Sequence, residues 1–264
     1  MIAELQIQTE FNGIATVLKQ SYFTQPLKLA NITEDKKKAD LHLMLMSSSP
    51  GILDGDEYDI KIHVEANAVL HLHTQSYQRL YNMKNSASQN VEITVGENAV
   101  FYFLPHPVVP HQSSSFTALN NIFLKKTSVL LWGEIITCGR KGSGESFLFS
   151  KLQNCTKIFI DDMLCIQENI LIEPLKIDPQ SIGQLEGFTH QATLIFINEE
   201  MENTLLIKEL INFLAQEKDI EFGISNAPNN GLILRLLGFK AEQLFEILKT
   251  ISRNILIKDT ASFA

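Results

Sequence analysis

Apolar and polar residues alternate at every second position through several stretches of the chain. Leu41, Leu43 and Leu45 alternate with His42, Met44 and Met46. Ile60, Ile62 and Val64 alternate with Lys61, His63 and Glu65, and Leu70 and Leu72 alternate with His71 and His73. Successive strand side chains point to opposite faces, so this period sets one face on a core and the other toward solvent or a second layer. The region 1–198 therefore reads as β.

An internal repeat organises these strands. The segment Ile62-x-Val64-x-x-Asn67-Ala68-Val69-Leu70-x-Leu72 recurs as Ile93-x-Val95-x-x-Asn98-Ala99-Val100-Phe101-x-Phe103. It recurs again as Ile122-x-Leu124-x-x-Thr127-Ser128-Val129-Leu130-x-Trp132. The copies, near residues 60–73, 91–104 and 122–132, each read as strand, tight turn, strand, with Asn or a small polar residue at the turn. A spacing of about thirty residues is typical of architectures in which each unit buries its apolar face on a neighbour. The pattern predicts a mainly β fold with a layered, β-helix-like body; a β-sandwich would show similar alternation.

The pattern changes in 199–264. Leu206, Leu210, Ile211 and Leu214 fall at helical spacing within Asn203 to Lys218. A strand around Ile220 to Ile224, a turn at Asn226 to Gly231 and a strand from Leu232 to Leu236 follow. A second amphipathic helix, Ala241 to Asn254, carries Leu244, Phe245, Leu248 and Ile251. This order predicts a small α+β segment with two helices, packed on the β body and not an independent domain. From Lys258 onward no periodicity remains, and the end reads as frayed.

Composition narrows the function classes. The 264 residues are 45% hydrophobic and 20% charged, an ordinary globular balance. A formal net charge of -8, with basic residues only in short clusters at Lys36 to Lys38 and Lys125 to Lys126, argues against nucleic-acid binding. Neither a secretory leader nor a membrane-spanning apolar run is legible, so a cytoplasmic location is expected. Cys138, Cys155 and Cys165 are widely spaced and form no CxxC pair; they read as reduced, buried thiols.

Three groups of residues invite a chemical reading. Gly139 to Ser146 has the spacing of a phosphate-binding loop, but Glu145 stands where the phosphate-reaching Lys belongs. A carboxylate there repels nucleotide, so the segment reads as a β-connection. Asp54, Asp56, Glu57 and Asp59 form an acidic turn that fits no calcium-loop pattern. Its Pro-Gly and Asp-Gly pairs indicate turn chemistry, with Asp56 capping local amides. There is no Gly-x-Ser-x-Gly elbow and no His-Glu-x-x-His. The third group is His63, His71 and His73, all opposite the apolar face of the first copy. Neutral imidazoles ligate nickel and zinc, and a shared face would bring three together. The competing reading is ordinary polar residues on a solvated strand face. His106 and His111 lie in the Pro-stiffened stretch Pro105 to His111 and are weaker candidates.

Several segments, in order, resemble the UreD/UreH family of urease accessory proteins. Phe23-Thr24-Gln25-Pro26-Leu27-Lys28 is similar to the family's early aromatic and Pro-Leu segment, and Ser48 to Asp56, with Gly55 and Asp56, resembles its Pro-Gly…Gly-Asp turn. Thr74-Gln75, followed by Arg79 and Tyr81, resembles a Thr-Gln strand. Gly139-Arg140 with Gly144-Glu145-x-Phe147 is similar to a Gly-Arg…Gly-Glu-x-Phe signature. Glu168 to Pro174 resembles the acidic-to-Pro segment after it, and Leu232 to Gly238, with Arg235, the Arg-Leu-Leu-Gly motif before the last helix. The chain departs from the family at Ile52, where a second Gly is common, and in the histidines of Pro105 to His111.

The resemblance implies a β-helix-like body and a scaffold role in maturing apo-urease. It implies the partners UreF, a helical accessory protein, UreG, a nickel-carrying GTPase, and apo-urease itself. It implies no catalytic residue, no tightly bound cofactor, and nickel in transit, through an interior passage. A β-helical carbohydrate-active enzyme using the Asp54 to Asp59 turn, and a β-rich interaction module with no metal role, are the alternatives. The single Trp, a poor sugar platform, disfavours the first.

Overall fold

The computed structural model describes the backbone of residues 1–35 and 38–262 and the side chains of these up to residue 256. The strands are β1 (Ile2–Phe11), β2 (Thr16–Phe23), β3 (Leu27–Asn31), β4 (Leu41–Ser47), β5 (Glu57–Val64) and β6 (Val69–Thr74). They continue with β7 (Gln78–Leu80), β8 (Ala87–Val95), β9 (Val100–Phe103), β10 (Val108–Pro110), β11 (Ser115–Leu124) and β12 (Val129–Thr137). Then come β13 (Lys151–Ile160), β14 (Met163–Ile172), β15 (His190–Ile197), helix α1 (Asn203–Leu214), β16 (Ile220–Ala227), β17 (Gly231–Gly238) and helix α2 (Ala241–Ser262). The protein is mainly β with two helices, as the alternation predicts.

Two sheets face each other. Sheet A has the order β14-β13-β11-β8-β5-β1-β2, and sheet B the order β16-β17-β15-β12-β9-β6-β4-β3. Each repeat copy gives its first strand to sheet A and its second to sheet B, and the copies pair in parallel. Equivalent repeat positions therefore form ladders: Ile62, Ile93 and Ile122 in sheet A, and Leu70, Phe101 and Leu130 in sheet B. Leu70, Phe101, Leu130, Ile93 and Ile122 are all fully buried between the sheets.

The turn between the two strands makes the crossing. Ala68 N–H donates to Glu65 O at 3.1 Å, Ala99 N–H to Gly96 O at 3.2 Å, and Ser128 N–H to Lys125 O at 2.9 Å. Asn67 and Asn98 take left-handed φ values of 63° and 55°, a conformation Asn tolerates and β-branched residues avoid. Thr127 keeps out of that region, and its hydroxyl accepts the Asn98 N–H at 3.0 Å.

A second core lies on the outer face of sheet B, where Tyr102, Leu131, Phe196 and Leu234 meet Leu206, Leu210 and Leu214 of α1 and Leu244, Leu248 and Ile251 of α2. Strand β12 is covered on both faces, so every one of its residues is buried. Strands β16 and β17 extend sheet B beyond β15 with antiparallel pairing, so the C-terminal segment shares its hydrogen bonds with the body. The backbone of α2 runs to Ser262, past the expected end at Asn254 and through much of the stretch read as frayed. Lys36 and Lys37 of the basic cluster lie outside the described residues. Among the described residues, no helix is long and apolar enough to cross a membrane.

Replacing Asn98 by Ala forces a side chain that lacks Asn's local hydrogen bonds into the left-handed region and removes its contact to Asn67 Oδ1 at 3.4 Å. Asn98→Ala is expected to destabilise the protein by about 1 kcal/mol, and Asn98→Gly by less. Urea unfolding midpoints of the two variants check the order; equal losses would contradict the turn assignment.

Candidate functional site

Three places in the structure carry chemistry: a cavity between the sheets, a histidine row outside sheet B, and the loop after β12.

The cavity, about 200 Å³, is lined by residues of both sheets and by the Pro50-Gly51 and Thr74-Gln75 segments. Its wall mixes apolar side chains with polar ones, among them Gln78, Arg79, Gln89 and His106, and with a linked polar row around Glu134. Glu134, on β12, is 9% exposed and lines the cavity. Its Oε1 accepts from Trp132 Nε1 at 2.7 Å and from Thr156 Oγ1 at 2.5 Å. Asn120 Nδ2 donates to Asn154 Oδ1 and Thr156 Oγ1, both at 2.9 Å. Among the described residues no Lys, Arg or His pairs with Glu134. A buried carboxylate held by neutral donors alone keeps its attraction for a cation. The strand pattern did not single out this residue. The available signal was a lone carboxylate inside the apolar run Val129 to Thr137.

The three histidines expected on one face are divided. The turn at Glu65 to Ala68 carries the chain from sheet A to sheet B, so the strands on either side of it face outward in opposite directions. His63 stands exposed on sheet A, in register with Gln8 and Thr94. His71 and His73 stand on the outer face of sheet B, where His42 joins them from β4 as the register partner of His71. His71 is not an exposed strand residue either: it is 6% exposed. The rings of His42 and His71 stack at 4.3 Å and 9°, and His71 stacks on Tyr102 at 4.8 Å. His42 Nδ1 lies 3.1 Å from His73 Nε2, and His42 Nε2 lies 2.8 Å from Asp40 Oδ2.

Burial drives His71 down to about 3, with His42 adding to the effect, and drives His73 down to about 4. Burial alone would raise Asp40, but the hydrogen bond from His42 and the neighbouring imidazoles leave it below the ordinary carboxylate value. The histidines of the Pro105 to His111 stretch serve as aromatic rings: His106 stacks on Phe245 at 4.6 Å and His111 packs against Tyr81 at 4.7 Å.

The Gly139 to Ser146 segment is not shaped for phosphate. Arg140 turns back onto Glu145, with Nε 3.0 Å from Oε2, and the Gln112 N–H donates to the same carboxylate at 3.2 Å. The Arg140 hydrogen bond lowers the Glu145 pKa. Gly144 closes the loop at φ +80°, a left-handed value that suits Gly. The acidic turn is likewise consumed locally. Asp56, 4% exposed, accepts the Leu53 N–H at 2.9 Å, as expected of a cap, and Asp54 accepts the Asn85 N–H at 2.9 Å. Gly55 takes φ +76° between them. Thr74 Oγ1 bonds His106 Nδ1 at 2.9 Å, and Gln75 N–H donates to Leu45 O at 3.0 Å. Arg235 of β17 pairs with Glu168 of β14, tying the edge of sheet A to sheet B. Cys138 and Cys155 are buried and Cys165 half-buried, all free.

This is a two-sheet β-protein that encloses a cavity and uses its acidic turn and its Arg140 loop structurally. The model of the UreD urease accessory protein family matches residues 1–261, and the chain belongs to that family. It is 46% identical to the urease accessory protein UreD of Flavobacterium johnsoniae over 260 residues, 98% of this chain and 94% of that protein. It is 34% identical to UreD of Acetivibrio thermocellus over 255 residues, 96% of this chain and 97% of that protein. It is 31% identical to the urease accessory protein UreH of Helicobacter hepaticus over 252 residues, 95% and 96% of the two chains.

Beside the Arg140 loop, His190 is 5% exposed, and its Nδ1 lies 2.7 Å from Thr189 Oγ1. Burial, with Lys141 nearby, pushes it down to about 4. The unfolded chain therefore binds this proton more readily than the folded one. The stability is present above about pH 6.5 and is lost as pH falls toward about 4, by up to about 3 kcal/mol. In urea unfolding against pH, the stability gap between wild type and His190→Asn should narrow across that window. A constant gap would contradict this placement.

Proposed function

We propose that this chain is the β-scaffold of urease maturation in the cytoplasm. It binds the helical accessory protein UreF, and with it recruits the nickel-carrying GTPase UreG to apo-urease. Nickel is the cargo, and it passes through the cavity between the sheets on its way to the urease site. The single observation that carries this reading is Glu134, a buried carboxyl without a cationic partner that lines the cavity together with the Thr74-Gln75 segment. A carboxylate and amide oxygens suit a divalent ion that must enter and leave, because a few hard donors hold it far less tightly than a closed cage. No residue of this chain hydrolyses GTP in this reading; the occupied Arg140–Glu145 loop supports leaving that chemistry to UreG.

Exposed apolar residues support a scaffold role. Leu175 and Ile182 are 92% and 95% exposed in the connection between β14 and β15, apolar side chains available to a partner. The carbohydrate-enzyme reading is disfavoured, since Asp56 and Asp54 accept the Leu53 and Asn85 amides and Asp59 lies 3.5 Å from Lys61.

Two measurements test the proposal. Size-exclusion chromatography should show the chain poorly soluble alone and well behaved when co-expressed with UreF; a stable monomer indifferent to UreF counts against it. Glu134→Gln keeps the acceptor for Trp132 and Thr156 but removes the charge. It should lower urease activation several-fold in cells at limiting nickel, with recovery in excess nickel and the complex intact. Normal activation at limiting nickel would exclude the passage past Glu134 and favour a module with no metal role.

A further inference from the structure

We propose that Asp40, His42 and His71 form an exchangeable site for a divalent first-row transition-metal ion on the outer face of sheet B, with His73 holding His42 in its ligating form. The ligand atoms of these three residues lie within 4.8 Å of one another. Asp40 Oδ2 stands 2.8 Å from His42 Nε2 and 3.8 Å from His71 Nε2. Donors held about 2.0–2.2 Å from a shared ion stand about 3–3.5 Å apart, so the Asp40–His42 pair must open slightly while the wider pairs close by about an ångström. Two imidazoles and a carboxylate are the donor set of nickel, zinc and cobalt, not of calcium or magnesium.

The proton arrangement favours this. The distances fit a tautomer in which His42 Nε2–H donates to Asp40 and His42 Nδ1 accepts from His73 Nε2–H. When an ion takes His42 Nε2, the His42 proton sits on Nδ1 and donates to His73 Nε2, while His73 carries its own proton on Nδ1. Both rings change tautomer, and no proton has to leave the pair. Ligating histidines commonly donate their second N–H to a neighbour that fixes the tautomer. His73 is that neighbour.

The parallel stacking also sets the strength. The lone pairs of stacked rings run side by side instead of converging, so His42 must swing out of its stack to share an ion with His71. Its side chain is 31% exposed and has room, whereas His71, at 7%, is fixed against Tyr102. Binding therefore sacrifices the His42–Asp40 hydrogen bond and leaves solvent on the remaining coordination positions. The site is built for release. It lies on the opposite face of sheet B from the cavity, so it stands or falls separately from the passage.

Titration of the untagged full chain with nickel(II) or cobalt(II) chloride, followed by calorimetry and by cobalt absorption, tests the site. Wild type is expected to bind one ion in the micromolar range. His73→Gln should weaken it roughly tenfold, and Asp40→Asn and His42→Gln by at least about that much. His63→Ala and Glu134→Gln should retain this binding. In wild type itself, nickel should broaden the imidazole resonances of His42 and His71 and spare His63, a result independent of any variant's folding. The proposal fails if wild type binds neither ion, if the Asp40 and His42 variants bind as wild type does, or if Glu134→Gln abolishes the binding.

Discussion

Each repeat copy pairs with the next in parallel and without offset, and the placement of the side chains in the body depends on that register. Ile62 lies beside Ile93 and Ile93 beside Ile122, so the inner faces close as ladders of like residues. The same rule governs polar positions. Asn67 meets Asn98 at the turn, and His42, His71 and Tyr102 form one row across three strands of sheet B. A shift of one residue would turn each row to the opposite face, placing imidazoles in the core and leucines outside. The histidine row and the sealed interior are thus two products of a single constraint.

The interior is not sealed uniformly. A carboxylate such as Glu134 is costly to bury, and apolar substitutes of similar volume commonly stabilise cores. Glu134 is accommodated because Trp132 and Thr156 both donate to it and Asn120 orients Thr156 from the facing sheet. The arrangement solvates the charge without neutralising it. A core shaped only for stability would fill this space with Leu or Ile.

The fold was largely legible in the sequence because alternation and the three repeat copies are both consequences of strand geometry. The turn at Asn67 and Asn98 was legible for the same reason, since few residues accept a left-handed φ. The candidate sites were legible only in part. Period-two logic places His71 and His73 together correctly, but it cannot say whether the turn before them leads back into the same sheet or across to another. That unknown put His63 on the wrong face. His42 lies a loop and a strand away in sequence and becomes a neighbour only through β4–β6 pairing, a long-range fact that no local pattern encodes. Glu134 was missed because attention to alternation passes over a strand buried on both sides, where one charge among apolar residues is the only sign.

The C-terminal segment then decides how these surfaces can be used. Helix α2 covers the outer face of sheet B beside the histidine row: Phe245 stacks on His106, which bonds Thr74 at the end of β6, and Tyr77 donates to Glu242 at 2.9 Å. One flank of the row is therefore buried under Tyr102 and the helix, and the other, at His42 and Asp40, meets solvent. A site closed on both sides would store an ion, and one open on both would not select it. The half-covered geometry gives a fixed donor on one side and a movable pair on the other, which suits the exchangeable site proposed above. The same helix touches the cavity lining, through Tyr77 and His106, as well as the outer face, so a partner that moved α2 would reach both places at once.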